Sequence, residues 1–254
     1  MRRFKIATST AILILVALTV KDAQSPSFAT TQNNSEARIG LPGRRISGGS
    51  RSPNTTCLAT PDQPVIALMP KNNLGLTLSE YPTFWFSLPA ISPDRTLEFG
   101  LYDQDGDLLY QTTFSVSGQA EVASLSLPKT SSPLVQDADY RWYLSVVCDR
   151  ESHAENLVVT GWIRRVQPSQ AIDRQLTSTT DQERLAVYQN IGLWYDALTL
   201  LAQLRYREPL DSTLEQQWIA LLESVDLSQA SAVPLGNELT PIPPLATIAH
   251  PSRY

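Results

Sequence analysis

Residues 140–148 read Tyr140-Arg141-Trp142-Tyr143-Leu144-Ser145-Val146-Val147-Cys148. Side chains on a strand alternate between its two faces. Tyr140, Trp142, Leu144, Val146 and Cys148 therefore share one face, and Arg141, Tyr143, Ser145 and Val147 share the other. The first set is the better core face. Outward from this strand, short alternating runs recur at 65–69, 83–88, 96–102, 107–114, 121–127 and 156–166. Turn residues separate them: the stretch from Pro89 to Asp94, Asp105-Gly106, Ser117-Gly118, the stretch from Pro128 to Pro133, and 149–155. Short strands at roughly ten-residue spacing, with turn signals between them, predict an antiparallel β-sandwich. We place it over 57–167.

Leu134 followed by Tyr140 and Trp142 resembles the strand-start pattern of fibronectin-type and immunoglobulin-type sandwiches, where a tyrosine bonds back to upstream backbone. From Ser169 the hydrophobic period lengthens to about 3.6. Thr180-Asp181-Gln182-Glu183 is a capping box with Thr180 as N-cap. Leu185, Tyr188 and Ile191 follow on one face, and Gly192 breaks the helix. A second helix runs from 193 to about 206, carrying Trp194, Leu198, Leu201 and Leu204, and Pro209 ends it. Ser212-Thr213-Leu214-Glu215 reads as another capping box, opening a helix with Leu214, Trp218, Leu221 and Leu222. The turn at 192–198 resembles that of a tetratricopeptide repeat. One and a half repeats are too few for an independent stack, so a helical subdomain over 168–227 is expected to dock on the sandwich. The segment 228–254 is Pro-rich and is expected to be extended or disordered.

The chain of 254 residues carries 42% apolar and 18% charged residues, too apolar for a disordered chain. Its net charge of −5 argues against a general nucleic-acid binder. Two histidines and two cysteines nearly exclude a zinc site built from Cys and His. Arg2, Arg3 and Lys5 precede an apolar run from Ile6 to Val20, and Ser27-Phe28-Ala29 supplies a small-x-small site. This order predicts a signal peptide over 1–29, with an uncleaved N-terminal anchor as the other reading and the only membrane contact expected. Its removal leaves a net charge of −8, of which 30–56 contributes +3 and the remainder −11. The basic stretch 30–56, rich in Gly, Ser and Arg, reads as a flexible arm. Within it Arg44 and Arg45 are candidate binding residues, since a guanidinium forks onto carboxylates and phosphates. A plain solvated linker is the blander reading.

Cys57 and Cys148 are the only cysteines, and in an oxidising compartment they are expected to pair; two unpaired thiols are the alternative. Asp103-Gln104-Asp105-Gly106-Asp107 alternates hard oxygen ligands, but its glycine sits one place early for a calcium loop and no bidentate Glu follows. Asp-Gly between alternating strands is the hairpin signal. His153 and His250 fall in segments read as solvated. No GxSxG, no pair of metal-ligating histidines and no GxxxxGK[ST] occurs, so no catalytic residue, metal site or cofactor is predicted.

Several segments also match one pattern in order: 40–51 (GLPGRRISGGSR), 73–86 (NLGLTLSEYPTFWF), 110–114 (YQTTF), Tyr140-x-Trp142-Tyr143 and 192–198 (GLWYDAL). Over about 40–227 the chain resembles the cyanobacterial family known as domain of unknown function 928. The resemblance implies an exported protein, supports pairing of Cys57 with Cys148, and carries no catalytic residue with it. The function expected is an exported, non-catalytic module that binds or scaffolds a protein or a cell-envelope component. Two other readings stand beside it: an ectodomain modulating a membrane sensor, and an envelope hydrolase whose carboxylates meet only in space.

Overall fold

The computed structural model describes residues 41–48, 57–58, 63–149 and 156–243. The signal expected at 1–29, most of the arm, both histidines and the end of the tail lie outside them. Nine strands form two sheets: β1 (Ile66–Ala67), β2 (Leu74–Thr77), β3 (Thr83–Leu88), β4 (Thr96–Tyr102), β5 (Leu108–Ser115), β6 (Glu121–Ser126), β7 (Asp139–Val147), β8 (Leu157–Arg165) and β9 (Leu235–Glu238). One sheet has the order β1-β3-β6-β9, the other β2-β8-β7-β4-β5. The architecture is a β-sandwich with helices, as expected, but it is not purely antiparallel. β2 pairs with β8 and β9 pairs with β6 in parallel. Both parallel strands are absent from the sequence reading, and β9 lies in the segment expected to be extended or disordered.

The face carried by Tyr140, Trp142, Leu144, Val146 and Cys148 is core, each residue at most 6% exposed. Trp142 meets Phe84 and Phe86 edge-on at 5.8 and 5.6 Å, and Phe84 packs on Phe99 at 5.0 Å. The Tyr140 hydroxyl accepts the Val135 amide at 2.8 Å, so the tyrosine bonds back to upstream backbone. The Asp-Gly signal forms the β4–β5 hairpin, where Asp103 accepts from the amides of Asp105 and Asp107 and Gly106 takes φ 91°.

Among the described residues five helices follow: α1 (Gln170–Ser178), α2 (Asp181–Asn190), α3 (Trp194–Arg207), α4 (Ser212–Glu223) and α5 (Ser228–Ser231). The capping box at Thr180 and Glu183 is formed in both directions. Gly192, at φ 74°, sits in the left-handed region that a side chain disfavours, and there the chain turns from α2 into α3. The second capping box is corrected by one residue. Asp211, not Ser212, caps α4, accepting from the amides of Thr213 and Leu214.

The helices dock on the sandwich. Trp85 points away from Phe84 and Phe86, and its indole donates to Thr199 of α3 at 3.0 Å. Both faces of β3 are thus covered, which is why Phe84 to Leu88 are buried without alternation. Tyr195 enters the sandwich interior, 5.4 Å from Phe84, and its hydroxyl accepts the Trp142 indole N–H at 3.1 Å. Trp194 donates to the Leu68 carbonyl at 2.8 Å. Trp194, Tyr195 and Trp218 are all buried, so these three aromatic residues serve the core and not a displayed surface.

Candidate functional site

The described part of the arm is a strap, not a free linker. Arg44 bridges Thr160 on β8 and Ile46 bridges Ile66 on β1, so eight residues cross from the edge of one sheet to the edge of the other. The exchange of backbone bonds satisfies edge groups that would otherwise be open. Ser47 adds a buried hydroxyl that accepts the Val65 amide at 3.0 Å. The two arginines part company here. Arg44 is exposed. Arg45 turns inward and donates to the carbonyls of Met69 at 3.1 Å and Val225 at 2.8 Å, tying strap, sandwich and helices together. Burial pulls its guanidinium below the usual arginine range, and the charge of Asp226 opposes that. At the root of the arm, Cys57 is joined to Cys148, with Cα atoms 5.0 Å apart. The second edge is closed likewise, where Pro241 bridges Phe114 on β5.

Two surfaces gather chemistry. The first is the outer face of the five-stranded sheet, the side opposite the Trp142 core. The Tyr143 ring lies across Gly100 on β4, where any Cβ would sit 2.2 Å from Cε1 of the ring. Only glycine leaves room for the ring to rest on the neighbouring strand. The Tyr143 hydroxyl donates to Oε1 of Glu98, which also accepts the Gln111 amide at 2.9 Å. Burial and then the Glu98 contact push the Tyr143 phenol well above its ordinary value. Tyr102 stacks beside Tyr143 with ring centres 6.1 Å apart, and the exposed Arg141 guanidinium lies 5.6 Å above the Tyr102 ring. The result is a shelf of two aligned, half-buried rings bordered by Arg141, Gln111 and Glu98.

The second is a cleft of about 240 Å³ where the segment after β2 meets α2 and α3. Tyr81, Tyr188, Tyr195, Asp196, Thr199 and Gln203 are among its lining residues. Asp196 stands in the first turn of α3. Its Oδ2 accepts the Leu78 amide at 3.0 Å, and the Thr77 hydroxyl and its own backbone amide also favour the charged form. Burial outweighs these and pushes the carboxyl up to about 6. Tyr188 is raised by burial and by the nearby charge of Asp196.

The sequence profile described as Domain of Unknown Function (DUF928) matches residues 46–235, about three quarters of the chain. The chain belongs to the DUF928 family. No curated protein and no solved structure matches it.

For this DUF928 chain the disulfide indicates an oxidising, non-cytoplasmic location. Among the described residues no helix is long and apolar enough to cross a membrane. No group of three or more His, Cys, Asp and Glu is placed among them to hold a metal ion. Of the shelf, sequence reasoning placed Arg141 and Tyr143 on the face opposite the core and assigned them no role. Glu98, Gln111 and Tyr102 were likewise given no role, although β4 and β5 alternate in step with β7. The cleft was not read as a site, although most of its residues fall in 73–86 and 192–198, because Thr77 and Asp196 meet only through the docking of α3.

Proposed function

We propose that this chain is an exported, non-catalytic binding module of a cyanobacterial cell envelope, and that its ligand is an envelope polysaccharide held on the outer face of the five-stranded sheet. The observation that carries this reading is the Tyr143 ring, fixed across Gly100 by its bond to Glu98 and aligned with Tyr102. Fixed rings on a rigid sheet offer apolar area at little entropic cost, and sugar rings present C–H faces to such surfaces. Arg141 and Gln111 at the border supply donors for hydroxyl and acidic groups of a glycan. Glu98 already accepts from Tyr143 and Gln111, which suits a positioning role better than proton transfer. Export through the 1–29 signal agrees with the Cys57–Cys148 bond. An immunoglobulin-like or fibronectin-like sandwich agrees with the Tyr140 bond to Val135, and a tetratricopeptide-like turn with Gly192.

The test is retention of the oxidised protein on insoluble envelope polysaccharide. Tyr102→Ala and Tyr143→Ala should each lower retention several-fold while leaving the far-ultraviolet spectrum unchanged, stacking on an aromatic ring being worth about 1 kcal/mol or more. Retention equal to the native protein in both variants would remove the shelf from consideration.

A further inference from the structure

The cleft beside Asp196 is a separate place from the shelf, and the shelf reading makes no use of it. Its floor is a carboxylate that the fold holds at a cost. Burial outweighs three hydrogen bonds in setting the proton affinity of Asp196. No lysine or arginine pairs with it among the described residues, whose ion pairs lie elsewhere. The cation in the lining, Arg184, is engaged by Asp181 at 3.1 Å. A half-buried carboxylate without a counter-ion is stabilised by whatever cation enters beside it.

The walls define that cation. Tyr81 and Tyr188 line the cleft, with the buried Tyr195 behind them, and aromatic faces attract positive charge. The Ser79 hydroxyl accepts the Tyr81 amide at 3.1 Å, and the Thr199 hydroxyl accepts the Trp85 indole at 3.0 Å. Both hydroxyl oxygens keep a second lone pair, and the exposed Gln203 brings an amide oxygen. The set is thus rich in acceptors and ring faces around one carboxylate. A volume of about 240 Å³ is smaller than the usual drug-sized pocket, and it suits an alkyl chain of a few carbons with a charged head.

We propose that this cleft binds a primary ammonium group, with Asp196 as its counter-ion and Tyr81 and Tyr188 as its walls. The same head group occurs on a free alkyl diamine and on a lysine side chain. Calorimetry on the full oxidised chain distinguishes these sources with two probes, cadaverine and Nα-acetyl-lysine amide, and tests the charge with 1,5-pentanediol, which replaces both ammonium groups of cadaverine by hydroxyls. Binding of cadaverine alone identifies a free amine, and binding of both probes identifies a lysine-type ligand. The diol should bind at least tenfold more weakly than cadaverine, charge-assisted hydrogen bonds being the strong ones. Asp196→Asn can still accept the Leu78 amide and should also weaken binding roughly tenfold or more. Tyr188→Leu leaves the carboxylate in place and should weaken it by a few-fold. The proposal is overturned if neither amine binds, if the diol binds as well as cadaverine, or if folded Asp196→Asn binds as the native chain does. Should Asp196→Asn fail to fold, the comparison of cadaverine with the diol on the native chain decides the matter by itself.

Discussion

The bond from the Trp142 indole to the Tyr195 hydroxyl joins the centre of the sandwich to the first turn of α3, and its removal tests whether sandwich and helices fold as one unit. Trp142 is 2% exposed and meets two phenylalanines edge-on. Truncating such a residue to alanine costs about 3–5 kcal/mol for lost burial and the cavity left behind. The orphaned Tyr195 hydroxyl adds about 1–3 kcal/mol. That total approaches the whole stability of an ordinary domain, so Trp142→Ala is expected to fail to fold at all. Milder changes isolate the bond. Tyr195→Phe removes the acceptor and strands a buried indole N–H, for about 1–3 kcal/mol. Trp142→Phe strands the hydroxyl instead and also loses ring area. With both changes made, neither polar group remains unpaired. The double variant should therefore cost less than the sum of the singles by about 1 kcal/mol or more. Urea unfolding of the oxidised protein, followed by far-ultraviolet circular dichroism, measures all four corners, and a single transition is expected in each. Additivity within about 0.3 kcal/mol would show that the two groups do not act as a pair. Two separated transitions would show that the helices do not depend on the sandwich.

Arg45→Ala should destabilise by about 1–3 kcal/mol, because it removes both bonds to the carbonyls of Met69 and Val225. Arg44→Ala, at an exposed position, should stay within about 0.5 kcal/mol, and equal losses in the two variants would contradict the strap geometry. Asp196, raised from an ordinary 3.8 to about 6, keeps its proton in the folded chain where the unfolded chain has lost it. Its contribution to stability is therefore complete below pH 3.8 and falls as pH rises towards about 6. The loss is at most about 3 kcal/mol, and smaller insofar as the cleft admits water. The difference in unfolding free energy between the native chain and Asp196→Asn, measured from pH 4 to 7 by urea titration, should change in that direction, and a flat difference would refute the reading.

What was legible in the sequence depended on how locally each feature is encoded. β7 showed its alternation because one of its faces packs the core while the other carries Arg141 and Tyr143 outward. β2 and β9 were invisible for the opposite reason. Each has four residues, includes a glycine, and exists only because a distant strand offers a parallel partner. A local pattern cannot announce a partner more than eighty residues away, as Leu74 and Trp162 are. The shift of the α4 cap from Ser212 to Asp211 is a closer contest. Both residues are strong N-caps, and the sequence places them side by side.

The strap carries the same lesson into function. Gly-rich, Arg-bearing composition reads as a linker because it has no hydrophobic period, yet 41–48 is held by backbone groups at two sheet edges, and backbone groups leave no mark on composition. Arg45 looked like a residue for an anion, on its own acidic body or outside it, and its guanidinium is spent on two carbonyls of its own fold. The charge set into a cleft is instead a negative one, at Asp196, where a sequence reader sees only an acid suited to a helix N-terminus. A helix dipole alone accounts for an acid at that position. It does not account for one half-buried among tyrosines in a cleft, where the carboxylate would be more stable in water. The surplus cost is therefore a better pointer to a ligand than the arginine pair, and it becomes readable only once α3 has docked.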